Sequence, residues 1–189
     1  MARYSWLAAF LVLGAAACGT GDDAARAGSA RTADAPAGGG DDAADIAGYE
    51  LNMDRMDRIY AAQRNIALAV NDMTPAEREA MENTDMADGS LEQFAAGIEA
   101  NPKIRKALDD AGMDPREYAT ATMAMVSAAM AASVLEMRPN DNQDSLAREM
   151  NANMDNIRFL RENEAELARK QQELEAELRA MGALEEPAE

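Results

Sequence analysis

The 189-residue chain has no histidine, one cysteine, one tryptophan and three lysines, Lys103, Lys106 and Lys170. Without imidazole or a second thiol it cannot build the usual zinc ligand sets or a Ser–His or Cys–His nucleophile pair. Carboxylate pairs of the glycosidase type are usually set among aromatic sugar platforms. Past residue 18 the aromatic side chains are only Tyr49, Tyr60, Phe94, Tyr118 and Phe159. No Gly-rich phosphate loop is present, and DMADGSLEQF offers Asp88 and Gly89 but not the other ligand positions of an EF-hand. Neither an enzyme nor a bound cofactor is therefore expected.

Positive charge is scarce as well. Lys and Arg total 18 against 35 Asp and Glu, a net charge of −17. Such a chain repels phosphate backbones and anionic lipid head groups, so nucleic acid is not an expected partner. After the N-terminal region no stretch has 18 apolar residues in a row, and no transmembrane helix is expected.

The beginning of the chain is built differently. MARYSWLAAFLVLGAAACGT carries one positive charge at Arg3, an apolar run from Trp6 to about Leu13, and small residues from Gly14 to Ala17. This is the three-part layout of a secretory signal over residues 1–17. The run is too short for a bilayer core, which takes about 20 apolar residues in a helix. Removing it takes away Arg3, leaving 17 basic against 35 acidic residues, or −18.

Cys18 directly follows Ala15, Ala16 and Ala17. This segment resembles the lipobox of bacterial prolipoproteins, with Ala15 where that family most often has leucine and Leu13 two positions earlier. The resemblance implies a Cys18 diacylated on sulfur and made residue one by cleavage, so that the chain is held on the membrane by lipid. Two or three chains, at about 0.8 kcal/mol per buried methylene, suffice for stable anchoring. The other reading of these residues is an A-x-A cleavage site ending at Ala17, which releases a soluble protein with a free thiol. Gly19, in place of the aspartate that retains many lipoproteins in the inner membrane, implies the outer membrane facing the periplasm. The C-terminal EEPAE lacks the lysine that Braun-type lipoproteins join to peptidoglycan, and that covalent role is not expected.

Residues 18–46 read as the lipidated cysteine and an acidic linker, since residues 19–45 contain no large apolar side chain. As a flexible coil, 27 residues extend roughly 30 Å. The pairs Asp22–Asp23 and Asp41–Asp42 read as solvated charge and not as a cation site.

Residues 47–189 are rich in Ala, Glu, Leu, Met and Arg and show no period-two alternation, which predicts an all-α domain, a single bundle of about five to six helices. A first helix is expected over 47–71, carrying Leu51, Met53, Met56, Ile59, Tyr60, Ile66 and Val70 as its apolar set. A short helix follows from Thr74 and Pro75, with Glu77 taken as one residue short of the capping-box spacing. MTPAERE also resembles, over seven residues and without the glutamine, the LTxxQ segments of periplasmic chaperones. Ser90 caps a helix to about Ala100, Asn101–Pro102 starts another that Gly112 ends, and Asp114–Pro115 starts the next. That helix has no charge between Glu117 and Glu136, so it is expected at the centre of the bundle. After a turn over 138–144, a shorter piece lies around Leu146 and Met150.

The last helix is predicted to be the longest, 153–181. Ile157, Leu160, Leu167, Leu174, Leu178 and Met181 form its apolar seam, with Glu164 and Gln171 at two polar seam positions. Its second half, within 165–189, is expected either to project or to pair with a partner helix or a second copy. The chain's 14 methionines include Met123, Met125, Met130 and Met137 on the apolar helix. Thioethers there offer either adaptable core filling or a copper(I) site. Two functions follow: an envelope-tethered, non-catalytic interaction or structural module, and a chaperone-like module that holds an apolar ligand, unfolded chain or copper ion between Met- and Ala-lined helices.

Overall fold

Local hydrogen bonding sets most of the helix boundaries. The structure, a computed structural model, describes residues 39–82 and 90–184. Among these the secondary structure is nine helices and no strand, so the protein is all-α. They are α1 (Gly39–Gly48), α2 (Met53–Asn71), α3 (Pro75–Glu82), α4 (Leu91–Ala100), α5 (Pro102–Asp110), α6 (Pro115–Met137), α7 (Gln143–Glu149), α8 (Met154–Glu162) and α9 (Glu164–Ala180).

The cap residues act as their chemistry requires. Ser90, Asn101, Asp114, Asn142 and Asn153 each accept a hydrogen bond from a backbone N–H in the first turn of the following helix. Helix α5 ends in a Schellman turn, with Gly112 at φ +70°. Its N–H donates to the Asp109 carbonyl and the N–H of Met113 to that of Leu108. Thr74 and Glu77 form a complete capping box. The Glu77 N–H donates to Thr74 Oγ1 at 3.3 Å and the Thr74 N–H to Glu77 Oε2 at 2.7 Å. The spacing from cap to third helical residue is met, which corrects the expectation that Glu77 falls one residue short.

Helix α2 packs chiefly on α5 and α9, whereas α6 packs on α4, α8, α7 and α1. The buried face of α6 is mostly alanine, with Ala119, Ala121, Ala128 and Ala131 fully enclosed. Small side chains let neighbouring backbones approach closely, which suits a helix touched by so many others. By length and composition alone α6 could cross a bilayer, but 61% of its apolar window is buried within the chain.

Three expected boundaries move. The helical region begins at Gly39, inside the segment read as linker, and Ile46 joins the core. Asp42 is not merely solvated, since its Oδ2 accepts from the Leu91 N–H at 3.2 Å, the first residue of α4. The helix expected over 47–71 is interrupted at residues 49–52. There Asn156 of α8 accepts from the Leu51 N–H at 2.8 Å and donates to the Tyr49 carbonyl at 2.7 Å, meeting backbone needs that a continuous helix would otherwise meet. Asn52 then caps α2 by accepting from the Arg55 N–H.

The helix expected over 153–181 is two helices joined at Asn163. Its Nδ2 donates to the Phe159 carbonyl at 2.8 Å, alongside its own N–H at 3.1 Å, and its backbone turns to φ −107°, ψ 12°. The carbonyl of Asn163 then receives the Leu167 N–H at 2.9 Å and opens α9.

Candidate functional site

Cys18, the expected lipidation residue, lies outside the described residues. The seam residues lie within them. Ile157 and Leu160 are buried on α8, which packs on α6, and Leu167, Leu174 and Leu178 are buried on α9, which packs on α2. Only Met181 is exposed. Helix α9 is fastened further by Tyr60, whose hydroxyl donates to the Leu167 carbonyl at 3.2 Å, and by the ion pairs Lys170–Asp57 and Arg64–Glu177, both 2.6 Å. The buried seam residues are thus covered within this chain, those of α8 against α6 and those of α9 against α2.

The polar seam positions have separate fates. Glu164 is exposed, whereas Gln171 is buried and donates to Glu175 Oε1 at 3.1 Å.

The four methionines singled out on α6 are not gathered at one point. Met125 is buried at 3% exposure, while Met130 and Met137 are 57% and 74% exposed and Met123 is half-buried. Met123, Met130 and Met137 follow one another at seven-residue steps, about 10.5 Å along the axis each. Helical side chains lean toward the N-terminus alike, so the thioethers keep that spacing and do not converge on one ion. Among the described residues no group of three or more His, Cys, Asp or Glu side chains is placed to hold a metal.

Two surface features remain. The first is a cleft of about 520 Å³ where the α1–α2 break meets the start of α6, lined by Tyr49, Glu50, Arg55, Asp114, Arg116 and Glu117, with Ala44, Asp45, Gly48 and Thr120. Arg55 stacks on the Tyr49 ring, 4.6 Å from its centre, and also donates to the Glu50 carbonyl. Glu117 pairs with Arg58 at 3.0 Å and accepts from the Tyr49 hydroxyl at 3.5 Å, and Arg116 pairs with Asp45 at 2.7 Å. Burial, and then the Glu117 charge, pushes the Tyr49 hydroxyl above its usual value. The hydrogen bond to Asp45 raises Arg116. These ion pairs hold α1, α2 and α6 together, and each guanidinium already has a partner within the chain.

The second feature is a ridge on α6. Val126, Met130 and Met137 are exposed, Met123 and Val134 are half-buried, and all five share one helical face. An apolar helix expected at the centre of the bundle therefore leaves one side uncovered by the described residues. Sequence reasoning missed this ridge, although methionines repeating every seven residues along an uncharged helix were its signal. It equally missed the cleft, whose members come from residues about 70 positions apart. No protein-family model, curated protein or solved structure matches the chain.

Proposed function

We propose that this chain is a lipoprotein of the bacterial cell envelope, held through Cys18 on the periplasmic face of the outer membrane and acting there as a non-catalytic interaction module. The observation that carries this reading is Cys18 itself, set after an apolar core and three alanines in a chain with no second cysteine. A lone thiol in an oxidising compartment is open to unwanted cross-linking, and acylation removes that liability. Residues 19–38, without a large apolar side chain, suit a spacer between the lipid and the helical unit that begins at Gly39.

The non-catalytic part of the reading is supported by the absence of histidine and by a cleft in which Glu117 and Asp45 are each held in an ion pair with an arginine. With the α9 seam internally filled, contacts with other molecules fall to other surfaces. The second reading, capture of an apolar ligand between Met- and Ala-lined helices, is supported only by the apolar α6 ridge that the described residues leave uncovered.

Detergent phase partition with intact-mass measurement tests the anchor. The native chain should enter the detergent phase with a mass that begins at an acylated Cys18, and Cys18→Ser should stay aqueous. A native mature chain that begins at residue 18 with a free thiol would refute the anchoring. A photo-cross-linker at position 130, compared with one at Lys106, tests the interaction role in intact envelopes. Adducts specific to 130 support it, and the same adducts from both positions count against it.

A further inference from the structure

The exposed face of α6 presents sulfur. Met130 and Met137 lie one heptad apart on the same side of the helix, and no charged residue stands between Glu117 and Glu136. Their exposures, 57% and 74%, contrast with Met56, Met73, Met113 and Met125, each at 4% or less. Met130 and Met137 are thus the most exposed methionines among the described residues, and the four packed ones fill the core.

We propose that Met130 and Met137 are sites of reversible oxygenation, at which a hydroperoxide converts each thioether to a sulfoxide and turns the exposed face of α6 from apolar to polar. The sulfur lone pair attacks the terminal peroxide oxygen, so that an S–O bond forms as the O–O bond breaks. Sulfur is oxidised by two electrons, and the peroxide is reduced to water, or to an alcohol, once the departing oxygen takes up the peroxide proton. Thiol-dependent sulfoxide reductases reverse this step, unlike the higher oxidation states of cysteine. Conversion of the pair places two strong dipoles on a ridge whose other exposed large side chain is Val126. Surface that water hydrates poorly becomes surface that water solvates, which weakens any apolar contact made there. The reasoning rests on exposure and spacing, and it holds whether or not Cys18 is acylated.

The test is a time course of the intact folded protein in hydrogen peroxide, with each methionine followed by peptide mass spectrometry at low conversion. A buried sulfur reacts only from a locally opened state, so Met130 and Met137 should oxidise on the order of tenfold faster than Met56, Met113 and Met125. Equal rates across exposed and buried positions would overturn the proposal. A second measurement compares the native chain with the M130L/M137L variant, which keeps the ridge apolar but removes its sulfur. After peroxide the native chain should leave a hydrophobic-interaction column earlier, by a clearly larger shift than the variant, in which Met181 is still exposed. An equal shift in both would place the change elsewhere and reject the assignment.

Discussion

The side-chain amide of Asn156 donates to the carbonyl of Tyr49 at 2.7 Å, across 107 residues of chain, while its oxygen accepts from the Leu51 N–H at 2.8 Å. This single side chain, 2% exposed, holds the extended link between α1 and α2 against α8. Asn156→Ala leaves the buried Leu51 N–H and the part-buried Tyr49 carbonyl without this partner, so a loss of about 2–4 kcal/mol is expected in urea unfolding. A loss within about 0.5 kcal/mol, the range of ordinary surface substitutions, would remove Asn156 from this role.

The C-terminal seam makes a contrast between α9 and the residue that caps it. Leu167 is 1% exposed and Met181 38%. Leu167→Ala is expected to cost about 2–5 kcal/mol, as for other leucines removed from a packed core. Met181→Ala should change stability by less than about 0.5 kcal/mol. Because the seam is filled within the chain, the melting temperature of the native protein should not depend on its concentration. A rise in melting temperature with concentration, lost in the Leu167 variant, would return the seam to a dimer.

Buried tyrosines bear on stability at alkaline pH. Burial pushes the hydroxyls of Tyr60 and Tyr118 up to about 12 from an ordinary value of 10, and for Tyr60 the Asp57 charge adds to the effect. A folded value above the unfolded one means stability that is complete below pH 10 and is lost as pH rises toward 12. Unfolding followed over that window should show stability falling with pH, and Tyr60→Phe should flatten the slope. An unchanged slope in Tyr60→Phe and Tyr118→Phe alike would contradict this origin.

At the acidic end the marker is Glu77. Its carboxylate accepts from the Thr74 backbone N–H, then from Lys103 and the Thr74 hydroxyl, which together lower it from 4.5 to about 2. A lowered value means a contribution present above the unfolded value and lost as pH falls through about 2. Carbon-detected NMR titration of Glu77 should find its midpoint near 2, and Lys103→Met should move it upward. A midpoint near 4.5 in the native chain would show that the capping box is open in solution.

Much of the fold was legible because caps are local. Ser90, Asn101–Pro102, Gly112 and Asp114–Pro115 were read as boundaries, and the structure uses each of them as such. The breaks at 49–52 and at Asn163 were not legible. The first depends on Asn156, whose role is set by residues more than 100 positions away, and the second on one asparagine amide turning back to Phe159 inside an unbroken apolar pattern. Of the candidate sites, Cys18 rests on its sequence motif alone. The α6 ridge was hidden because an uncharged helix looks the same from sequence whether it is enclosed or bare on one side.

Composition and short-range spacing were enough to determine an all-helical chain, its chemistry without imidazole, and helix ends at which donor and acceptor lie two to five residues apart. Only the tertiary structure decided that the leucines of α9 are covered by α2, that α1 begins at Gly39 within the segment read as linker, and that α6 shows methionine to solvent. Periodicity says that a face must be covered. What covers it is settled by surfaces brought together from distant parts of the chain.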